Sequence, residues 1–346
     1  MQLLVYPQHQ WFDYRMKAVS ILSAGKIELV DLPDPTPSNS EVVVEVAAVG
    51  ICGTDLHIFE GEFAPKLPIV PGHEMSGTVV AIGKDVTEIK VGDAVAVDPS
   101  LHCGECFYCR RARGNLCENW NALGVTFPGA AAQFLLAPKK NIHKLPKGID
   151  LKSAALIEPL SCAVRGFDQL PRNPGSHYLI YGSGTMGLMM AEMARVNGSA
   201  SVSIVDLNPD KLATAKILGF TNLSKSADEF DQPRGFDVVI DCTGVTAAIK
   251  DGLKHVMPGG TFLQFGVANE GAKVEIEPFW IYNKEITIVG SMAVLHSFDR
   301  AVELFAGGVL NADVMISDRY SLDKYADALA AFKSGKGRKT IVLPNG

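Results

Sequence analysis

Gly182, Gly184 and Gly187 stand as G-x-G-x-x-G between a strand-like run, YLIY, and a helix-like run, TMGLMMAEMARV. Few patterns constrain a chain's path so tightly. The first glycine permits a tight turn, the second lets the backbone approach a pyrophosphate, and the third lets the helix pack close against the strand. The helix that follows opens at Thr185 and Met186, so its free N–H groups face an anion. Asp206 ends the next strand-like run, about 20 residues after the last glycine, where a carboxylate accepts hydrogen bonds from ribose hydroxyls. The same carboxylate repels a 2′-phosphate, which favours NAD over NADP. Lys211 works the other way, since a cation there tolerates a phosphate. A plain loop role for Asp206, ahead of a helix cap, is the weaker account of its position.

A second pattern is closed in on itself. Cys103, Cys106, Cys109 and Cys117 form C-x2-C-x2-C-x7-C in HCGECFYCRRARGNLC. Four thiolates complete a tetrahedral zinc site and leave no open position, so this array predicts a structural metal. The alternative is a pair of disulfides. Seven cysteines are an odd number for a disulfide framework, and MQLLVYPQHQWFDYR has neither an apolar run nor a cleavage site, so a cytoplasmic setting with reduced thiols is expected.

At 346 residues the chain predicts two domains. Its net charge of −6 argues against general nucleic-acid binding, and no apolar stretch is long enough to span a bilayer. Arg110, Arg111 and Arg113, inside the cysteine array, read as a solvated loop face. From Met16 the chain reads as strands, KAVSIL, EVVVEVAAVG, SGTVVAIG and VGDAVAV, separated by turn signals, with LPDPTPSNS as a Pro-rich connector. Beyond ALIEPLSCAVRGF, strands alternate with helices, which predicts a parallel sheet. Asn208 and Pro209 mark the N-cap and first position of one of those helices. Residues 1–15 form an extension of undecided role, residues 16–165 and 298–346 one domain, and residues 166–297 the other.

Cys52 and His73 with Glu74 fall in GICGTDLH and PGHE, two runs read as loops, and Glu158 falls at the junction of the two regions. A thiolate, an imidazole and a carboxylate suit a catalytic zinc that keeps a place for substrate. Taken singly, a buried thiol or a core histidine is the plainer reading of either residue; together, beside a nucleotide fold, they point to a site.

With these runs in order over nearly the whole chain from Met16, the sequence resembles the zinc-dependent medium-chain alcohol dehydrogenase superfamily and is most similar to its polyol (sorbitol-type) members. The resemblance implies an α/β architecture: a GroES-like β-rich catalytic domain, an inserted Rossmann domain with a doubly wound parallel sheet, a cleft between them, two zinc ions per subunit, and a homo-oligomer, dimer or tetramer. It implies Cys52 and His73 as zinc ligands, with the carboxylate shared or exchanged between Glu74 and Glu158. Cys162 is expected to pack in the core. Thr54 matches the hydroxyl that hydrogen-bonds the substrate oxygen, and His57 the outer end of a proton relay; a role as satisfied loop residues is the weaker alternative for both.

The expected reaction is reversible oxidation of a secondary hydroxyl of a polyol to a ketone. Two departures bear on the substrate. Ala293 and Val294 fall where sorbitol dehydrogenases carry Arg and Tyr, and Ile58 falls at another family tyrosine. A shorter or different polyol, or another secondary alcohol, is therefore credible. An L-threonine dehydrogenase-like enzyme shares the CGTD-x-H and E-P runs, and a non-enzymatic zinc protein is the rival from another class.

Overall fold

The computed structural model describes residues 15–62 and 66–346; residues 1–14 of the expected N-terminal extension lie outside the described residues, and Arg15 already belongs to a strand. The strands run β1 Arg15–Ser23, β2 Lys26–Pro33, β3 Glu41–Gly50, β4 Glu74–Ile82, β5 Ala94–Val97, β6 Ser100–Leu101, β7 Asn121–Ala122, β8 Phe134–Pro138 and β9 Ile142–Lys144. The second group is β10 His177–Tyr181, β11 Ser201–Val205, β12 Asn222–Ser224, β13 Phe236–Asp241, β14 Val256–Gln264 and β15 Thr287–Gly290, and the chain closes with β16 Ile316–Ser321 and β17 Lys339–Leu343.

Two large sheets result. One has the order β16-β17-β3-β4-β5-β9, with β8 also on β3. Its centre, β3, is a valine-rich run buried almost throughout, as a strand covered on both faces must be. The terminal run KTIVL returns to this sheet beside β3, as the sequence suggests. The other sheet is parallel with the order β12-β11-β10-β13-β14-β15. Strand order reverses between β10 and β13, and the crevice at that switch point is where such sheets bind nucleotides.

β2 lies where the sequence reading passes straight from KAVSIL to the Pro-rich connector. Its residues are mostly exposed, so no hydrophobic run marks it; antiparallel pairing with β1 holds it in place.

The helices α1 Gly53–Glu60, α2 Ile157–Phe167 and α3 Thr185–Val196 carry most of the residues of interest. α2 joins the sheets: Leu156, Ile157, Leu160 and Val164 belong to one core cluster that runs from Ala48 and Ala96 of the first sheet to Ile180 and Ile240 of the second. The helix α4 Pro209–Ile217 has the expected N-cap, with Asn208 Oδ1 accepting from the Asp210 N–H at 2.9 Å. After α5 Thr246–Lys254 and α6 Pro278–Lys284, α7 Phe298–Ala306 packs against α2, and α8 Ala312–Met315 and α9 Tyr325–Lys333 flank β16.

Candidate functional site

Cys52 is the N-cap of α1, and Asp55, three residues on, accepts its N–H at 2.9 Å. The C-G-T-D spacing is therefore a local fold instruction as well as a chemical one. Asp55 is fully buried and also accepts the Gly72 N–H at 3.1 Å, which ties α1 to the turn before β4. His73 ends the loop that precedes β4, as read from sequence, and Glu74 is the first residue of that strand.

One ligand atom from each of Cys52, His73 and Glu74 lies within 4.8 Å of the others. Glu158, in the first turn of α2, stays outside that group, and its Oε1 accepts the Cys162 thiol at 3.5 Å. Cys162 is half-buried against the core, as expected.

The site holds more acid than base. Burial raises Glu158 to about 7, against the pull of His73 and with the push of Glu74. Burial also raises Asp55. Burial opposes a charge on His73, yet Asp55, Cys52 and Glu158 together push it well above the usual histidine value. His73 Nδ1 lies 3.8 Å from Asp55 Oδ1, and no described residue gives it a hydrogen bond. A buried imidazole grouped with a thiol and a carboxylate is the mixed donor set that a divalent cation such as zinc takes.

Lys339 was not foreseen. Its ammonium is buried, pairs with Glu74 and donates to the Ile51 carbonyl at 2.9 Å. Gly50 makes room for the pair: a Cβ there would stand 2.0 Å from Glu74 Oε2 and 2.8 Å from Lys339 Cε. The one sequence signal was a lysine opening an otherwise apolar final strand.

Thr54 and His57 also lie on α1. Thr54 Oγ1 is 4.0 Å from Cys52 Sγ, whereas His57 Nδ1 pairs with Glu62 just past the helix end. Ile58 is wholly buried against Ile21 and Ile69, and Val294 packs in the main core with Phe298, so neither side chain is free to line a cleft. Ala293 sits beside it at φ 43°, in the left-handed region.

The four cysteines form the second group. The described S···S separations are 3.5 Å for Cys117–Cys103 and 3.9 Å for Cys103–Cys109 and Cys106–Cys117. All are far beyond a disulfide bond. They match the edge of a tetrahedron with 2.3 Å zinc–sulfur bonds, about 3.8 Å. Backbone N–H groups of Cys103 and Asn119 point at Cys117 Sγ at 3.4 and 3.3 Å, which favours a thiolate. N–H groups of Cys109 and Glu118 lower Cys106 to about 6, while desolvation and the other thiols push Cys109 up to about 12. Four sulfurs this close cannot all ionise without a cation between them.

At the glycine turn, Gly184 caps α3. A Cβ on Gly187 would lie 1.8 Å from the Gly182 carbonyl oxygen, so the helix can approach β10 only with glycine there. Asp206 Oδ2 accepts the Ser183 N–H at 2.7 Å and Oδ1 the Asn208 N–H at 2.8 Å. It therefore anchors the turn while keeping further lone pairs for a ribose. The carbonyl of Lys211 accepts from Ser183 Oγ at 3.1 Å.

Comparison with known proteins agrees with this geometry. The family model "Alcohol dehydrogenase GroES-like domain" matches residues 38–147, and "Zinc-binding dehydrogenase" matches residues 185–307. The chain is 37% identical to D-arabinitol dehydrogenase 1 of Uromyces fabae, over 97% of this chain and 99% of that protein. It is 33% identical to D-arabitol-phosphate dehydrogenase of Enterococcus avium, over 95% and 98%. A zinc-binding dehydrogenase of Sinorhizobium meliloti, solved bound to NADP, superposes with a TM-score of 0.93 at 35% identity, over 96% of this chain and 100% of that one. A parallel nucleotide sheet joined to a β-rich sheet that brings a thiol, an imidazole and a carboxylate together thus has its counterpart in known enzymes, and the chain belongs to the zinc-dependent medium-chain alcohol dehydrogenase family, oxidoreductases of CH–OH groups.

Proposed function

We propose that the protein is an NAD-dependent polyol dehydrogenase that reversibly oxidises a secondary hydroxyl of a sugar alcohol to a ketone. The observation that carries this reading is the clustering of Cys52, His73 and Glu74, the last two buried, in a chain that also carries the glycine turn and whose relatives are named for arabinitol and related polyols. Cys52, His73 and Glu74 would hold a catalytic zinc, and Glu158, which feels the charges of His73 and Glu74, would be the carboxylate that exchanges with Glu74. The four cysteines would hold a structural zinc, making two per subunit. Zinc supplies Lewis acidity that lowers the pKa of a hydroxyl toward neutrality, and the nicotinamide accepts hydride.

The chain's own residues do the rest. Lys339 offsets the charge of Glu74, and Asp55 orients the loop that carries His73. Thr54 Oγ1, beside Cys52, would hydrogen-bond the substrate oxygen and release its own proton as it takes the substrate's, and His57, paired with Glu62, would receive a proton at the outer end of the relay. Gly182, Gly184 and Gly187 admit the pyrophosphate at Thr185 and Met186, and Asp206 with Lys211 beside it receives the adenosine ribose. Asp206 is the reason for preferring NAD to NADP.

A homo-oligomer completes the reading: β15 is the outer strand of its sheet and leaves Ile288 exposed, and Phe279 and Tyr282 on α6 are exposed too. A monomeric mass by light scattering would refute that part.

The experiment is reduced-nicotinamide formation by the purified, zinc-loaded protein across alditols of three to six carbons, simple secondary alcohols and L-threonine, with NADP⁺ in parallel. Turnover of an alditol with NAD⁺ is expected. A response to L-threonine alone, or to none of them with two zinc ions bound, would overturn the polyol reading.

A further inference from the structure

The chain between β15 and α7 follows a strained path. Ala293 and His296 stand at φ 43° and 50°, so two residues with side chains occupy the left-handed region close together. Such conformations are costly without glycine and persist only where the surroundings fix them. Packing fixes the α7 end: Val294 and Phe298 lie in the main core, and Arg300 Nη2 donates to the His296 carbonyl at 3.2 Å. A distant part of the chain reaches the rest. Asn115 Nδ2 donates to the Met292 carbonyl at 3.2 Å across 177 positions of sequence, and His296 Nε2 donates to the Ala112 carbonyl at 3.2 Å.

Ala112 and Asn115 both belong to the cysteine loop, in the stretch closed by Cys109 and Cys117. Those two ligands set their places. The Ala112 N–H donates to the Cys109 carbonyl and the Cys117 N–H to the Gly114 carbonyl, each at 3.0 Å. Asn115 is buried and borders the cavity at the carboxyl ends of β14 and β15, together with residues 264–267 and 290–292. That edge belongs to the dinucleotide site. Asp206 follows β11, on one side of the glycine turn, and suits the adenosine ribose, so the nicotinamide half extends over β13, β14 and β15 on the other side of β10.

Building on the dinucleotide and cysteine-loop parts of the function proposed above, we propose that Asn115 and His296 are positioning residues. Through them the cysteine loop holds the segment between β15 and α7 in its strained path, so that the edge receiving the nicotinamide half is ready before the ligand arrives. Without these ties the segment spends part of its time elsewhere, and apparent affinity falls by the fraction of chains left competent.

The test is calorimetric titration of the zinc-loaded full chain with NADH, with NADPH in parallel, and with ADP, which carries only the adenosine and pyrophosphate parts. The proteins are the wild type, N115A, H296A, A293G and the double variant N115A/A293G, each with its zinc content and melting temperature measured. N115A should weaken the preferred reduced dinucleotide roughly 2- to 10-fold, the scale of one hydrogen bond, and H296A less, because His296 is exposed. ADP should bind every variant as it binds the wild type. Glycine takes the left-handed conformation at no steric cost, so N115A/A293G should recover part of the affinity lost in N115A.

Three results would each overturn the proposal. Unchanged dinucleotide affinity in N115A and H296A would mean that the ties hold nothing the ligand needs. An equal loss for ADP would make the effect a general loosening of the domain. No recovery in N115A/A293G would make Asn115 a direct contact of the ligand. If N115A sheds its loop zinc or does not fold, H296A decides: a loss confined to the dinucleotide upholds the proposal, and an unchanged affinity overturns it. A wild type that binds neither dinucleotide would refute the dinucleotide reading itself, and the proposal with it, whatever the variants do.

Discussion

The two groups that can hold a metal are built in opposite ways. Cys103, Cys106, Cys109 and Cys117 come from one loop of 15 residues, partly exposed, with backbone N–H groups of that loop turned toward their sulfurs. Cys52, His73 and Glu74 are brought together by a helix start, a turn and a strand, with Asp55 beneath them and Lys339 arriving from the last strand. The first site depends on local spacing and the second on the whole β-rich sheet. A closed set of four identical ligands suits a structural metal, and a mixed, incomplete set suits a catalytic one.

Breaking each site separately tests this contrast. Cys106→Ala should have the largest effect on folding, since structural zinc contributes about 10 kcal/mol or more of apparent binding energy; a marked fall in melting temperature and loss of one zinc per chain are expected. An unchanged melting temperature would remove the structural role. Cys52→Ala should leave a folded protein that still binds the dinucleotide, with one zinc per chain and turnover reduced by at least about three orders of magnitude, the scale of losing a principal catalytic electrostatic contact. Retained activity would refute the catalytic assignment.

The smallest effect sharpens the comparison by touching neither metal group. Asp168 fastens α2, which carries Glu158, to Arg300 of α7. Burial pushes its carboxyl up, but Arg300, Arg172 and Arg165 outweigh that and hold it below the ordinary carboxylate value. A depressed folded value means that the stabilisation is present above about pH 4 and is lost as the pH falls through that lower value. Asp168→Asn should therefore cost about 1–2 kcal/mol at neutral pH, with the difference narrowing in acid. Activity should fall modestly, because Glu158 rides on α2, while zinc retention by the cysteine loop stays unchanged. Early loss of that zinc would blur the distinction between a local and an assembled site. A stability difference that does not narrow in acid would mean that the Asp168 ion pairs are not its source.

What the sequence revealed followed the same division. The glycine turn, the cysteine spacing and the Asn208 cap were legible because each is decided within a few residues by sterics or ligand geometry. Cys52, His73 and Glu74 were legible as residue types, and resemblance to known enzymes brought them together. Lys339 was not, since it reaches Ile51 from 288 residues away. Ile58 and Val294 stand where the resemblance puts substrate-binding side chains of sorbitol dehydrogenases, and their burial against Ile21, Ile69 and Phe298 comes from packing that the sequence does not display. β2 escaped notice because backbone pairing holds it, without an apolar stripe.

The placement of Lys339 also sets an order of assembly on the ribosome. The cysteine loop has all its ligands once Cys117 has emerged, whereas the surroundings of Glu74 lack their buried ammonium until β17 has been synthesised and has docked beside β3. On the two-zinc reading proposed above, a growing chain can fill the cysteine loop well before it can finish the second site.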